Sequence, residues 1–260
     1  VYSTPVWPMV HNIHEHLRSF ARYGEGHSVS YLNFFYSKSP LFLKKTEFDA
    51  VIFHYSFTNH WDRHRFDANM RALSEFKFGD GPRAAFFQDE YHHTDWLCEF
   101  VRKMGITHIF SATGAAVKEV FSDVDWGSVK YTQCLTSYIS EDTVQTVKEL
   151  SVEADRKFDI GYRASVASPF GIYRTGWFGT LRKRFGEEVL KRAAGTGLKL
   201  NISNKVADFF HGREWFRFLL SCKYVLGVPG GSSLLDRDGS ILDCLRAYMH
   251  AHPQATYGEI

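Results

Sequence analysis

Residues 198–228, LKLNISNKVADFFHGREWFRFLLSCKYVLGV, contain two apolar runs separated by a stretch of helical character. Leu198 to Ser203 and Tyr224 to Val228 are predicted to be strands, the second of them buried, and Arg213 to Cys222 lies between them as a helix. Two strands joined by a helix indicate a βαβ unit, in which the strands run parallel in one sheet. The stretch therefore predicts an α/β fold.

The same alternation begins upstream of this stretch. A polar helix from Glu141 to about Asp155 precedes a strand from Phe158 to Arg163, and a helix from Gly176 to Ala194 follows that strand. The series restarts after the polar helix, so we place a domain boundary near Ser151. This gives two Rossmann-like domains with parallel sheets and flanking helices, residues 1–150 and residues 151–260.

The first half shows its own series of short apolar runs and helical stretches. Apolar residues repeat at helical spacing from Met9 to Ala21 and again from Trp96 to Met104. Five strands are predicted: Val29 to Asn33, Ala50 to Tyr55, Ala84 to Asp89, His108 to Ser111 and Val129 to Gln133. A doubly wound domain usually starts with its central strand, whereas this chain opens with VYSTPVWP, a turn leading into a helix.

That first strand is expected to be missing, and the second domain is expected to be incomplete with only three strands. A sheet of so few strands leaves an exposed edge, so we expect a fragment or a protein completed by another chain.

Composition narrows the function classes. The 260 residues are 44% hydrophobic and 23% charged, which is typical of a folded globular protein. A formal net charge of +2 argues against nucleic acid as a partner, and no apolar run is long enough for a transmembrane segment. Four widely spaced cysteines without a CxxC pair favour buried thiols in the cytoplasm. No signal peptide is recognisable, and the oligomeric state stays open.

The segment YVLGVPGGSSLLDRDGS, residues 224–240, places small and polar residues directly after a predicted buried strand. Small residues at the carboxyl end of such a strand let backbone N–H groups and hydroxyls approach phosphate oxygens. The candidate binding residues are Gly230, Gly231, Ser232, Ser233, Asp236 and Asp238. The alternative interpretation is a tight turn that needs positive φ, since neither GxxxxGK[ST] nor GxGxxG is present.

Arg163 ends the strand in FDIGYRAS, residues 158–165, and is a candidate phosphate clamp at the same edge. The basic cluster Arg182 to Arg184 is interpreted as a solvated helix face. In the first half, Asp89 and Glu90 follow an apolar strand, where one of them could accept a proton from a hydroxyl. Neighbouring strand residues point to opposite faces, so one base is favoured over a carboxylate pair.

The segment HNIHEH, residues 11–16, resembles a metal site only superficially. A zincin needs HExxH, in which two imidazoles lie one helical turn apart, whereas His14 and His16 lie two residues apart. No metal is therefore predicted. No GxSxG nucleophile elbow is present either, so serine hydrolase chemistry is not indicated.

The segments FDIGYRAS, EWFRFLLSCKYVLGVPGGSSLLDRDGSI and FQDEYHHTDWLCEF resemble bacterial GT-B-type glycosyltransferases, particularly those of spore-maturation and surface-polysaccharide synthesis. The resemblance implies a nucleotide-sugar donor site in the C-terminal domain, a glycan or other hydroxyl acceptor on the N-terminal domain, and no metal or other cofactor. It also implies that Arg163 and the residues from Gly230 to Ser233 contact the donor phosphates. Asp89, Glu90 or His54 becomes the candidate catalytic base.

The sequence departs from the family pattern in one respect. Members usually continue past the position of Ile260 into a segment with a proline-arginine pair and a ribose-binding glutamate, and no such segment is found in this sequence. The expected function is transfer of a sugar from a nucleotide-sugar donor to a hydroxyl. The alternatives are a catalytically inactive nucleotide- or sugar-binding module and a metal-dependent hydrolase that uses the His/Asp-rich segments.

Overall fold

The computed structural model describes residues 1–4, 11–35, 44–58, 63–135, 137–164 and 169–260. The strands are β1 (Val51–Phe53), β2 (Arg83–Phe86), β3 (His108–Ser111), β4 (Lys130–Gln133), β5 (Phe158–Arg163), β6 (Leu200–Ser203) and β7 (Cys222–Val225). The α-helices are α1 (His11–Tyr23), α2 (Tyr55–Thr58), α3 (Arg63–Leu73), α4 (Thr94–Met104), α5 (Val117–Val120), α6 (Glu141–Ser151), α7 (Pro169–Tyr173), α8 (Trp177–Ala193), α9 (Arg213–Leu220) and α10 (Ser240–Ala251).

The chain forms two compact units. The first unit comprises Val1–Tyr138 together with Leu235–Gly239, and the second comprises Ile139–Leu234 and Ser240–Ile260. In sequence the units meet upstream of the boundary predicted near Ser151, so helix α6 belongs to the second unit. Each unit contains one parallel sheet with helices, which confirms the predicted α/β class.

The first unit has the strand order β1-β2-β3-β4, and all of these pairs are parallel. Its core is built from aromatic and branched side chains because both faces of a parallel sheet are covered by helices. Phe53 on β1, Ile109 on β3 and Phe100 on α4 are fully buried within it. The apolar periodicity read from the sequence between Trp96 and Met104 is therefore the packed face of α4.

Among the described residues no strand precedes α1, but residues 1 and 2 bond to backbone on two sides. The Val1 amino group donates to the Ile52 carbonyl (2.7 Å), and the His54 N–H donates to the Val1 carbonyl (2.8 Å). On the other side, the Tyr2 N–H donates to Leu32 (2.9 Å) and the Phe34 N–H donates to Tyr2 (2.8 Å). Residues 1 and 2 thus occupy the place of a strand beside β1, and these hydrogen bonds set their alignment with it. A segment of two residues is too short to be recognised as a strand from the sequence.

In place of the strand predicted from Val29 to Asn33, the structure has a single parallel bridge between Tyr2 and Asn33. Its short partner offers too few backbone groups for a longer ladder. The sheet order is therefore Leu32–Phe34, then residues 1–2, then β1. Met9, which begins the predicted helical stripe, lies outside the described residues, whereas the helix containing Ile13 and Leu17 is α1.

The second unit has the strand order β6-β5-β7, again parallel. Strand β7 begins at Cys222 rather than Tyr224 because Cys222 already pairs with Phe158. The prediction that this strand is buried is wrong, since Tyr224 is 70% exposed and Val225 43% exposed. The reason is its position at the edge of the sheet, where neighbouring strands and helices cover less of it.

Helix boundaries follow capping chemistry. The Ser140 side chain accepts the N–H of Thr143 and starts α6, as expected for a serine N-cap. The helix ends at Ser151, earlier than the predicted Asp155. At this end the Ser151 hydroxyl donates to the Lys148 carbonyl (2.7 Å).

Within the described ranges, no helix combines the length and apolarity that crossing a bilayer requires.

Candidate functional site

The sheet of the second unit reverses its strand order at β5. The chain leaves β5 for β6 on one side and then returns, through α9, to β7 on the other side. Ligands in open α/β sheets bind beyond the carboxyl ends of the strands at such a reversal. The segments that follow β5 and β7 are therefore the first place to look for a ligand site in this unit.

Those two segments meet at the N-terminus of α8. The Ser233 Oγ accepts the N–H of Trp177, the first residue of α8, at 2.8 Å, and the Ser233 N–H donates to the Thr175 carbonyl at 3.1 Å. Gly176 has φ +63°, and a Cβ there would lie 2.4 Å from the Ser233 Oγ. Only glycine permits this close approach, which fixes the Gly-Gly-Ser-Ser turn, residues 230–233, against the helix end.

Arg182 lies beside the same turn. Its Nη2 is 3.5 Å from the position that a Cβ would take on Gly230, and its carbonyl accepts the Tyr162 hydroxyl at 2.8 Å. The prediction that this arginine only solvates a helix face missed its proximity to the turn. A helix N-terminus, exposed backbone and a guanidinium together suit an anion such as phosphate.

Arg163 is committed to the protein itself. Its Nε donates to the Asp208 carbonyl (3.1 Å), and its Nη1 donates to the carbonyls of Tyr162 (2.9 Å) and Asn201 (2.8 Å). Its Nη2 donates to the Asn201 Oδ1, and its guanidinium lies 4.6 Å from the centroid of the Phe218 ring. Since a guanidinium has five N–H donors, one Nη2 hydrogen has no partner among the described residues.

Asp236 and Asp238 belong to the first unit. Asp236 is buried, its N–H donates to the Tyr91 carbonyl (2.8 Å), and its Oδ1 accepts the N–H of Gly239 (3.1 Å). Its Oδ2 lies 3.8 Å from the Nδ1 of buried His92. Asp238 is exposed. The structure therefore gives Asp236 a packing role in the first unit.

In the first unit, Glu90 is held by two hydroxyls from the end of β3. The Ser111 Oγ and the Thr113 Oγ1 both donate to the Glu90 Oε1, the latter at 3.0 Å. Ser111 is fully buried, and Glu90 is half-buried just beyond β2. Carboxyl ends of neighbouring parallel strands meet at one edge, so Glu90 is a fixed carboxylate at the edge where ligands bind.

Asp89 differs from its neighbour. It is exposed, and its φ of 60° places it in the left-handed region, which aspartate tolerates better than most residues. Its carbonyl accepts the Tyr91 N–H at 3.0 Å and closes the turn after β2. Glu90, held by two hydroxyls, and Asp89, which is exposed, therefore lie in different environments.

His54 follows β1 beside residues 1–2, where the first unit reverses its strand order. The Ser56 N–H donates to the His54 Nδ1 at 3.0 Å, so Nδ1 is an acceptor and the proton resides on Nε2. Burial lowers the pKa of His54 from 6.5 to about 2, with the nearby His16 adding to the decrease. This neutral tautomer is suited to donating from Nε2 rather than to accepting a proton there.

We expect acid to destabilise the first unit through His54. The unfolded imidazole takes up a proton near pH 6.5 and the folded one only near pH 2, so the unfolded state binds more protons between these values. The free energy of unfolding should fall by about 2 kcal/mol between pH 7 and pH 5 from this group alone. Urea unfolding of wild type and His54→Phe at both pH values measures it, and equal decreases in the two proteins would contradict it.

The histidine-rich segment on α1 is divided between surface and interior. His11 is exposed, and His14 Nδ1 lies 3.9 Å from the Glu15 Oε1, whereas His16 is buried against His54 with ring centroids 5.0 Å apart. In the ranges that the structure describes, no three His, Cys, Asp or Glu side chains are arranged to hold a metal ion.

Sequence reasoning did not single out three residues that the structure places at these edges, and it interpreted a fourth, Arg182, as part of a solvated helix face. Ser111 and Thr113 position Glu90, the Tyr55 ring lies tilted beside the His54 ring with centroids 3.9 Å apart, and Arg182 lies beside the turn at Gly230. Ser111 could have been found from the sequence, since it ends a predicted strand of a parallel sheet.

Comparison of the chain with protein-family models, with curated proteins and with solved structures found no match.

Proposed function

We propose that this protein is a glycosyltransferase that moves a sugar from a nucleotide-sugar donor to a hydroxyl of a glycan or other acceptor. The observation that supports it is the turn at Gly230–Ser233, bonded to the N-terminus of α8 at the strand-order reversal of the second unit. Nucleotide phosphates bind at this position in open α/β sheets. The resemblance of the same segment to GT-B-type transferases points to the same ligand.

Arg182 would provide most of the phosphate affinity. An exposed helix N-terminus stabilises an anion by about 0.3–1 kcal/mol, whereas a charge-assisted hydrogen bond contributes about 1.5–3 kcal/mol. Arg163 was the expected clamp, but its hydrogen bonds to Tyr162, Asn201 and Asp208 already use most of its donors. We therefore assign the phosphate contact to Arg182 and a scaffolding role to Arg163.

The reaction needs a base for the attacking hydroxyl, and Glu90 is the proposed one. In the step we propose, the acceptor oxygen forms a bond to the anomeric carbon while its proton passes to the Glu90 carboxylate. The bond from that carbon to the donor phosphate oxygen breaks, and the nucleoside diphosphate leaves with the electron pair. The hydrogen bonds from Ser111 and Thr113 to Oε1 orient the carboxylate for this role.

Gly230→Asp tests the donor site. An added Cβ at Gly230 would lie 3.5 Å from the Arg182 Nη2, an ordinary contact, so the aspartate fits and places a carboxylate beside that guanidinium. We expect affinity for UDP, GDP or CDP and their sugars, measured by calorimetry, to fall roughly tenfold or more. The aspartate both pairs with Arg182 and repels the diphosphate.

Three variants separate this effect from misfolding. Gly230→Asn adds the same volume without charge, and Gly227→Asp adds a charge where no atom lies within 4 Å, so both should retain affinity within about threefold. Arg163→Ala should lower the stability of the second unit more than it lowers donor affinity. If no nucleotide binds the folded chain, or if Gly230→Asp binds like wild type, the proposal is wrong.

A further inference from the structure

The hydroxyl of Tyr131 bridges the two ends of the segment that completes β3. It accepts the N–H of Gly114 at 2.9 Å and donates to the carbonyl of Ser111 at 3.3 Å. In a closed four-residue turn, the first carbonyl accepts the N–H of the fourth residue directly. Here the tyrosine oxygen lies between those two backbone groups. We call residues 111–114 the β3 loop.

The β3 loop carries both hydroxyls that hold Glu90. The Ser111 Oγ and the Thr113 Oγ1 donate to the Glu90 Oε1, the latter at 3.0 Å, and the Thr113 N–H donates to the Ser111 Oγ at 3.0 Å. The directions of both side chains therefore depend on the backbone of the loop. Since the Tyr131 hydroxyl bonds that backbone at its first and last residues, its effect on Glu90 passes through the loop.

Strand register explains why Tyr131 reaches this loop. Tyr131 lies on β4 opposite Ile109 of β3. Side chains alternate between the faces of a strand, so Tyr131 shares a face with Ile109 and with Ser111, two residues further on. The Cys134 N–H also donates to the Ser111 carbonyl, at 3.0 Å. The pairing of β3 with β4 thus continues up to the loop and fixes its distance from Tyr131.

The Tyr131 ring is anchored by packing in the first unit. It contacts the buried cluster that contains Ile109, and the Trp126 ring lies edge-on to it with centroids 6.5 Å apart. The far end of the loop is constrained as well, because Gly114 has φ +64° and a Cβ there would lie 3.3 Å from the Gln133 Nε2. A ring held by packing and a loop closed by glycine preorganise the position of the hydroxyl.

We infer that Tyr131 positions the Glu90 carboxylate through its two hydrogen bonds to the β3 loop. This inference rests on the proposed function, because the orientation of Glu90 matters for a rate only if Glu90 is the base. A base has to lie within hydrogen-bond reach of the proton it accepts, and a misplacement of about 1 Å can cost about 10²-fold in rate. Without the bridging hydroxyl, the Ser111 carbonyl and the Gly114 N–H are free to bond directly, and Thr113 moves with them.

Tyr131→Phe removes the hydroxyl and keeps the ring. The first measurement needs no substrate: it is the ¹³C signal of the Glu90 carboxyl in the full chain, identified by its absence from the spectrum of Glu90→Gln. We expect this signal to shift in Tyr131→Phe, because the chemical shift of a carboxyl responds to its hydrogen bonds. An unchanged Glu90 signal overturns the inference, whatever the kinetics show.

The second measurement is the rate of sugar transfer with and without Glu90. In the wild-type background, Tyr131→Phe should lower kcat roughly tenfold and leave the KM for the donor within about twofold, because only the reacting geometry changes. In the Glu90→Gln background the same substitution should change kcat by less than about twofold, since the group that Tyr131 positions has already been replaced. An equal loss in both backgrounds would show a purely structural role and overturn the inference.

Tyr31→Phe is the matched control in the same unit. The Tyr31 hydroxyl donates to the Leu17 carbonyl at 3.0 Å, so its removal should lower the thermal midpoint but change neither the Glu90 signal nor kcat. A shift of the Glu90 signal as large as that in Tyr131→Phe would overturn the inference. If the wild type transfers no sugar, the proposed function is overturned, whereas the Glu90 signal still decides whether Tyr131 positions the carboxylate.

Discussion

Phe53→Ala is expected to lower the free energy of unfolding of the first unit by about 3–5 kcal/mol, because it empties the centre of the core. Phe53 is fully buried on β1, and its ring contacts Phe57, Phe78 and Phe100 at centroid distances of 5.9, 6.0 and 5.1 Å. The surrounding rings come from different elements and cannot all move to fill the space. Urea unfolding followed by circular dichroism measures the loss.

Two substitutions calibrate this result. Phe53→Leu keeps most of the volume and should cost less than half as much as alanine. Tyr224→Ala removes an aromatic ring that is 70% exposed and should cost less than about 1 kcal/mol. A loss below about 1 kcal/mol for Phe53→Ala would mean that this ring is not in the packed core.

Glu90→Gln is expected to reduce the rate of sugar transfer by about 10²–10⁴-fold, the range that a positioned general base contributes. Glutamine keeps the size and can still accept hydrogen bonds from Ser111 and Thr113, but it cannot take the proton of the acceptor hydroxyl. The affinity for the donor should be unchanged, since Glu90 is not among the proposed phosphate contacts and glutamine keeps the size of the side chain. Steady-state kinetics with a responsive donor and acceptor, together with calorimetry, measure both quantities.

Asp89→Asn is the control for Glu90→Gln. Asp89 is exposed with φ 60°, and asparagine adopts that backbone conformation equally well, so turnover should change less than about threefold. Full activity in Glu90→Gln would remove Glu90 as the base. A large loss in Asp89→Asn instead would transfer the role to its neighbour.

Much of the fold could be predicted from periodicity because burial enforces it locally. The strand from Phe158 to Arg163 and the strand from His108 to Ser111 have the bounds expected from their apolar runs. Helix α8 matches its predicted range within a residue at each end, since glycines flank that helical stretch. Short elements and edge strands were harder to predict from the sequence. Strand β7 is an example, since it begins before the predicted residue and its Tyr224 is exposed.

Some features of the candidate site could likewise be predicted from the sequence, and others could not. That Glu90 and Ser233 follow strands of parallel sheets could be predicted, because the strand ends are marked in the sequence. That Glu90 is bonded to Ser111 and Thr113 while Asp89 faces solvent depends on side-chain directions at the turn. Single-residue spacing does not encode these directions once the strand has ended.

By itself, the sequence determined the α/β class, the parallel strands and the strand ends at which polar residues gather, because each depends on patterns within a few neighbouring residues. Only the tertiary structure decided that Arg163 bonds to its own scaffold, that Arg182 lies beside the turn at Gly230, and that His16 meets His54 and Tyr55. Those contacts join segments distant in sequence. Their partners are selected by packing and strand order, which no local pattern specifies.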